Sequence, residues 1–428
     1  MGESIRLDIT NLTADKVGEH GISAADVLAL DGRVAELRTV VEQERGEGAH
    51  YYLASAAAAS ELESVLRIAQ PRMGRFGHLV LLGIGGSALG LKMLAQALAY
   101  LDTSMPELHV VDNTDPALLA RVLARIELKQ TLFVAVSKSG GTLETVVALG
   151  HVVRLLQHAG LELSDHVLTV TDPEQGPLRE FTRRHNLESA DIHAAIGGRF
   201  SVLTPAGTLP AALLNLDVAS LLHGADRMAG VCANGEPAKL WPARLGVLAA
   251  DLCLKHGKTG IVFMPYSSRL EYLSDWFVQL WDESLGKDGK GQTAIRAVGA
   301  TDQHAQLQLF MDGPNDKLLV FVRIEKHVPD VAIGDFEWDL FGCPYVKGRT
   351  LGQVINAQQA GTADAATARG RPNATLVLPR LSAETVGELV MGLMAATTYA
   401  SKVLGVNAYD QPSVELGKRI SRQMLGGP

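Results

Sequence analysis

The sequence predicts an α/β protein in two successive halves, each a mainly parallel sheet covered by helices on both faces. Three observations predict it. Short continuous apolar runs alternate with longer segments of helical spacing. Each run is followed by Gly, Asp, Asn or Ser punctuation, as expected of βαβ units. The pattern also occurs twice, at about 76–215 and at about 240–405.

Taken in order, residues 1–75 read as mostly helical and peripheral, with an Ala-rich run in Ala54–Ile68. The first series of strands is His78–Leu82, Leu108–Asp112, Thr131–Val136 and His166–Thr171. The helix after the third run, Thr142–Leu156, is apolar nearly all round, as expected of one packed against a sheet. The second series is Gly260–Pro265, Leu318–Ile324 and Ala374–Leu378. A long helix follows over Leu381–Leu404, with Ser382 as its N-cap, and a last helical segment over Val414–Met424. The expected division is an N-terminal segment 1–75, a first unit 76–235, a second unit 236–405 and a C-terminal helix in 406–428.

The 428 residues are 47 % apolar and 20 % charged, an ordinary globular balance with ample core. Lys and Arg total 39 against 47 Asp and Glu, a net charge of −8. That balance argues against a general nucleic-acid or anionic-membrane binder, while leaving room for a local positive pocket. Cys232, Cys253 and Cys343 lie far apart with no CxxC, which suits reduced thiols in a cytoplasmic protein. MGESIRLDIT shows no secretory pattern, and no apolar run reaches the ~18 residues of a membrane span.

Two Gly/Ser-rich turns each join a strand to a helix. LLGIGGSALG (81–90) aims free N–H groups at an anion, and Gly83–Ala88 fits the loose dinucleotide pattern GxGxx(G/A). A nicotinamide cofactor and a single phosphate on a small metabolite are both open at that point. The acidic residue a dinucleotide wants, Asp112, comes later than the roughly 20 positions usual for it. VSKSGGTLET (136–145) is more informative. Ser137, Ser139 and Thr142 supply three hydroxyls, Gly140 and Gly141 let N–H groups approach, and Thr142 stands at the start of the next helix. No GK[ST] ends it, so it is not a Walker loop. Two such turns on neighbouring strands fit one small phosphorylated ligand at the sheet crevice.

Three further segments carry candidate chemistry. In FVQLWDESLGKDGKG (277–291), Gln279 and Glu283 share a helix face at i, i+4. Glu283 lies near Trp281, and a carboxylate in apolar surroundings becomes a better proton acceptor. GGRFSVLTPAG (197–207) presents Arg199 after two glycines, where it can be held rigidly for an oxyanion or phosphate. His304 in TDQHAQLQLF and Lys418 in YDQPSVELGKRI carry no message on their own.

Together these segments resemble the phosphoglucose isomerase family over roughly residues 76–424, with GIGGSALG, SKSGGTLET, GGRFSVLTPAG, QLWDES, DQHAQLQL and NAYDQPSVELGK in the family's order. The resemblance implies two sugar-isomerase (SIS-type) three-layer domains with central, mainly parallel sheets. It implies Glu283 as the base that moves a proton between C1 and C2, His304 in ring opening, Lys418 at the ring oxygen and Arg199 stabilising the enediolate. Ser137, Ser139 and Thr142 would hold the phosphate, with Lys138 beside it through the loop backbone. Gly86 and Ser87 would lie near the sugar, and Gln279, Glu144 and Gln411 would line the pocket. The family takes its histidine from the neighbouring subunit, so a homodimer with shared sites is implied. No metal or redox cofactor is required, since one carboxylate can take the proton and return it. Asp302 before Gln303-His304, Gly140-Gly141 and Leu285 depart from the larger members' pattern and bear on fine specificity. The alternatives are an isomerase that also accepts mannose 6-phosphate, a non-catalytic sugar-phosphate sensor, and a nicotinamide-dependent enzyme.

Overall fold

The computed structural model describes residues 4–55, 59–100, 102 and 104–427, with side chains omitted at 54–59. Part of the Ala-rich run expected at 54–68 therefore lies outside the described residues. The described residues form ten strands: β1 (Arg6–Asp8), β2 (His78–Leu82), β3 (Glu107–Val111), β4 (Thr131–Val136), β5 (Val167–Thr171), β6 (Ser189–Asp191), β7 (Gly260–Pro265), β8 (Thr293–Arg296), β9 (Lys317–Lys326) and β10 (Asn373–Arg380). The first sheet runs β3-β2-β4-β5-β6, parallel throughout. The second runs β1-β10-β9-β7-β8, parallel except for β1.

The apolar runs form strands because both faces of each sheet are covered. β4, β5 and β7 are buried at every position, as parallel strands under helices must be. In the first sheet the chain starts at β2, steps to β3 on one side and then crosses to β4 on the other. That reversal puts a topological switch point between β2 and β4, where α/β folds bind ligands beyond the carboxyl ends of the strands. The two Gly/Ser loops follow β2 and β4, and so flank the crevice.

The N-terminal stretch, expected to be a helical cover, also supplies a strand. β1 pairs antiparallel with β10, Arg6 opposite Val377. The fully buried Glu388 accepts from Ile5 N–H at 2.9 Å and from the Ser4 hydroxyl, and Arg227 offsets its charge. The helix Ala24–Gly46 then docks through Arg33 on the buried Asp251, with Nη2 to Oδ1 at 3.0 Å.

Between the sheets, the helices Val218–Asn234, Trp241–His256 and Ala383–Leu404 bury most of their surface in one apolar core. Ser382 caps the last of them, its hydroxyl accepting from Thr385 N–H at 3.2 Å. That helix crosses Val218–Asn234 closely enough that a Cβ on Gly387 would sit 1.9 Å from the Leu221 carbonyl oxygen. Gly387→Ala is therefore expected to lose about 1–3 kcal/mol of stability by overpacking, read as a lower denaturant midpoint. An unchanged midpoint would show that the two helices part freely.

The helix Leu143–His158 is apolar on its outer side as well, but Leu143, Val146 and Val147 there are exposed. The helix Glu415–Met424 is exposed along its whole length. Among the described residues, no helix is long and apolar enough to cross a membrane.

Candidate active site

At the end of β4 the three hydroxyls of SKSGGT converge. The Ser137 and Thr142 oxygens lie 2.9 Å apart, and the Ser139 and Thr142 oxygens 3.5 Å. Gly140 N–H donates to the Ser137 oxygen at 3.1 Å. Thr142 takes the N-cap position of Leu143–His158 but makes no side-chain capping bond, so its hydroxyl turns toward the other two. Hydroxyls clustered over a helix N-terminus form a neutral, donor-rich cup suited to a phosphate monoester. Lys138 reaches out of the loop and donates to the Ala194 carbonyl at 2.6 Å, tying the cup to the segment that leads into Arg199. Burial lowers the Lys138 pKa, and Asp172 opposes the shift.

The loop after β2 packs against the Arg199 segment. A Cβ on Gly86 would sit 2.2 Å from the Gly198 carbonyl, so only glycine lets the two backbones meet. The helix Glu271–Leu285 comes from the second half and completes the junction. Gln279 Nε2 lies 3.0 Å from where a Cβ on Gly85 would stand. Its N-terminal end is fixed to the first half by Tyr272 N–H on Gln96 at 2.8 Å, and by Arg269 Nε on the Ala97 carbonyl at 2.9 Å.

Arg199 is the centre of this junction and is 2 % exposed. All five of its N–H groups have partners. Nε donates to Ser284 Oγ at 2.8 Å, and Nη2 to the Ala408 and Asp410 carbonyls at 2.5 and 3.0 Å. Nη1 donates to Gln411 Oε1 at 2.5 Å and faces Glu283 Oε2 at 3.5 Å. Two arms are thus anchored on the protein frame, while Nη1 meets only side chains that a ligand could displace. Burial lowers the Arg199 pKa, opposed by the charges of Glu283 and Asp410.

Glu283 is partly open, with its side chain 27 % exposed. It does not lie in the apolar surroundings that Trp281 suggests. Trp281 is fully buried and stacked on Phe277, whereas the carboxylate faces the Arg199 guanidinium and the Gln279 amide, whose Nε2 donates to Oε2 at 3.3 Å. Gln279 Oε1 is buried without a protein partner, an acceptor left over for a ligand hydroxyl.

The structure therefore brings Gly86, Arg199, Gln279, Glu283 and Gln411 together, and places Ser137, Ser139 and Thr142 in one cup on the adjacent strand. Ser87 lies on the single turn after β2. Glu144 instead lines a cavity of about 360 Å³ with Asn113, Thr114 and His151. His304 is exposed at the end of a single turn, Thr301–Gln303, and Lys418 pairs with Glu415 on its own exposed helix, at 2.8 Å. Among the described residues, no hydrogen bond or ion pair links either of them to Glu283.

Sequence reasoning missed the scaffold behind Arg199. Tyr409 stands between the two carbonyls that Arg199 grips. Its hydroxyl meets the His50 ring Nδ1 and lies 2.9 Å from Thr398 Oγ1. His50 Nε2 in turn meets Glu44 at 2.8 Å, and Lys402 closes the chain on Glu44 at 2.7 Å. Burial lowers the His50 pKa against the pull of Glu44. On the open side, Lys287 pairs with Asp410 at 2.9 Å. Only Tyr409 had a signal, being inside the NAYDQPSVELGK segment.

The chain is similar to known proteins in sequence and in fold. The family model described as phosphoglucose isomerase matches residues 72–427. A glucose-6-phosphate isomerase of Rubrobacter xylanophilus is 40 % identical over 423 residues, covering 96 % of each chain. A solved structure of a hypothetical protein from Thermus thermophilus superposes with a TM-score of 0.89 at 37 % identity, covering 99 % of this chain and all of that one. A glucose-6-phosphate isomerase structure from Chlamydia trachomatis shares the fold at a TM-score of 0.83 and 23 % identity, over all of this chain and 89 % of that one.

Proposed function

The chain belongs to the phosphoglucose isomerase family, and from that premise we propose how its own residues interconvert glucose 6-phosphate and fructose 6-phosphate. The reaction is an aldose–ketose isomerisation, a step of glycolysis and gluconeogenesis. The observation that carries our reading is the partly open Glu283 carboxylate, 3.5 Å from a buried, fully braced guanidinium beside the β2 loop. Glu283 takes the proton from C2 of the aldose and returns it to C1. The electron pair moves onto the C1 carbonyl oxygen, the Nη1 arm of Arg199 stabilises the resulting enediolate oxygen, and the O2 hydroxyl proton passes to O1 as the C2 carbonyl forms. Ser137, Ser139 and Thr142 hold the phosphate, with Lys138 beside it. Gly86 and Ser87 border the sugar, and Gln279 and Gln411 line the pocket, while Glu144 faces the separate cavity beside Asn113 and His151.

Ring opening is assigned to His304 of the partner subunit, with Lys418 at the ring oxygen, in a homodimer with shared sites. Two features support this. His304 is exposed and unconnected to Glu283 within one chain. Leu416, Ile420 and Met424, at i, i+4 and i+8, stand on the surface of a helix that is exposed along its whole length. The free cysteines and acidic balance support a cytoplasmic protein that binds no nucleic acid. Residues 76–235 and 236–405 are proposed as the two sugar-isomerase units.

The test is turnover of fructose 6-phosphate with no added cofactor. Folded protein that binds the sugar phosphate without converting it would favour a sensor. Mixing Glu283→Gln chains with His304→Ala chains, each nearly inactive alone, is expected to restore activity through hybrid sites. No rescue after verified subunit exchange would overturn the shared site.

A further inference from the structure

We infer that His78, His109 and Glu107 form a binding site for one divalent ion of the zinc type, at the end of the first sheet opposite the sugar-phosphate loops. His78 opens β2 and Glu107 opens the edge strand β3, with His109 two residues further along β3. The register places His78 beside Glu107 and Val80 beside His109, so all three side chains project from the same face. Val80 and Val111, next along the two strands on that face, belong to an apolar cluster, which gives the site a dry floor.

The donor atoms are spaced as a small tetrahedral ion requires. His109 Nε2 and His78 Nδ1 are 3.3 Å apart. One Glu107 oxygen lies 3.7 Å from His78 Nδ1, and the other 3.7 Å from His109 Nε2. Two ligands each about 2.1 Å from a tetrahedral zinc stand roughly 3.4 Å apart. All three ligating atoms fall within 4.8 Å of one another. Two imidazoles and one carboxylate are a borderline donor set that suits zinc and leaves a fourth position for water.

Access is graded. The side chains are 6 % exposed at His109, 20 % at His78 and 56 % at Glu107, a closed base with an open mouth. An ion here would pin the edge strand β3 to β2, bracing the sheet far from Glu283. The function would be structural, separate from the isomerisation.

The experiment uses the full-length protein, stripped with a chelator and titrated calorimetrically with ZnCl2. One ion per chain is expected, with a rise in melting temperature, and Co²⁺ in its place is expected to give the visible absorption of a four-coordinate site. Losing a ligand in His78→Gln or Glu107→Gln should weaken binding by at least the roughly 10–100-fold that losing an outer-shell partner costs. Both positions are partly exposed, so these variants fold even if a buried His109→Gln does not. Isomerase turnover in His78→Gln is expected to stay unchanged. No saturable uptake by the parent chain would overturn the proposal, leaving a hydrogen-bonded strand brace. So would uptake that survives in His78→Gln/Glu107→Gln.

Discussion

Glu283→Gln is expected to lower turnover of fructose 6-phosphate by about 10²–10⁴-fold, the usual contribution of a positioned general base. Glutamine keeps the length and shape of the side chain, and its carbonyl oxygen can still accept from Gln279 and Arg199. What it loses is the ability to take a proton from carbon. The fall should therefore appear in kcat, with KM little changed, because the hydroxyl cup after β4, proposed to hold the phosphate, is untouched. A second readout separates proton transfer from damage to the site. In heavy water the parent enzyme should exchange deuterium into C1 or C2 of recovered substrate, and the variant should not. Full activity in Glu283→Gln would remove Glu283 from the role of base. Lost activity with exchange intact would show the carbon proton still being taken without the carboxylate, and would likewise remove Glu283 from that role.

Much of this arrangement is legible in the sequence, for reasons that also explain what was not. β2, β4, β5, β7, β9 and β10 are continuous apolar runs because helices cover both faces of their sheets. β1, β6 and β8 have three or four residues and mixed burial, so no run marks them. They are strands only because a long neighbour offers its open edge. At the site, Gln279 and Glu283 were readable from helical spacing, and the hydroxyl cup from its loop. The brace around Arg199 was not. Two of its bonds go to backbone carbonyls, which any residue supplies. The contact that steadies them joins His50 to Tyr409, 359 positions apart. The surroundings of Glu283 were misjudged for a related reason. Trp281 is near it in sequence but occupies a different face of the helix, and the guanidinium that meets the carboxylate comes from another segment entirely.

Arg199→Lys keeps the charge and is nonetheless expected to cost about 10²–10³-fold in kcat, the range seen when one donor to a developing oxyanion is removed. The reason lies in how the five donors are divided. Nε and Nη2 grip Ser284, Ala408 and Asp410, and that grip fixes where Nη1 points. A lysine ammonium has three donors on a single atom. If it satisfies the two carbonyls it cannot also reach the position of Nη1, and if it reaches Glu283 it leaves buried carbonyls unpaired. The charge survives but its direction is lost, and stabilising an enediolate depends on direction. The loss should fall mainly on kcat, since the guanidinium's contribution is largest when the oxygen is charged. Some loss of melting temperature should accompany it. Tyr409→Phe is the control, because it loosens the same two carbonyls from behind while leaving the guanidinium in place. A lysine variant that melted earlier but turned over at the parent rate would make Arg199 a structural clamp. The enediolate would then have to be stabilised by other groups of the pocket.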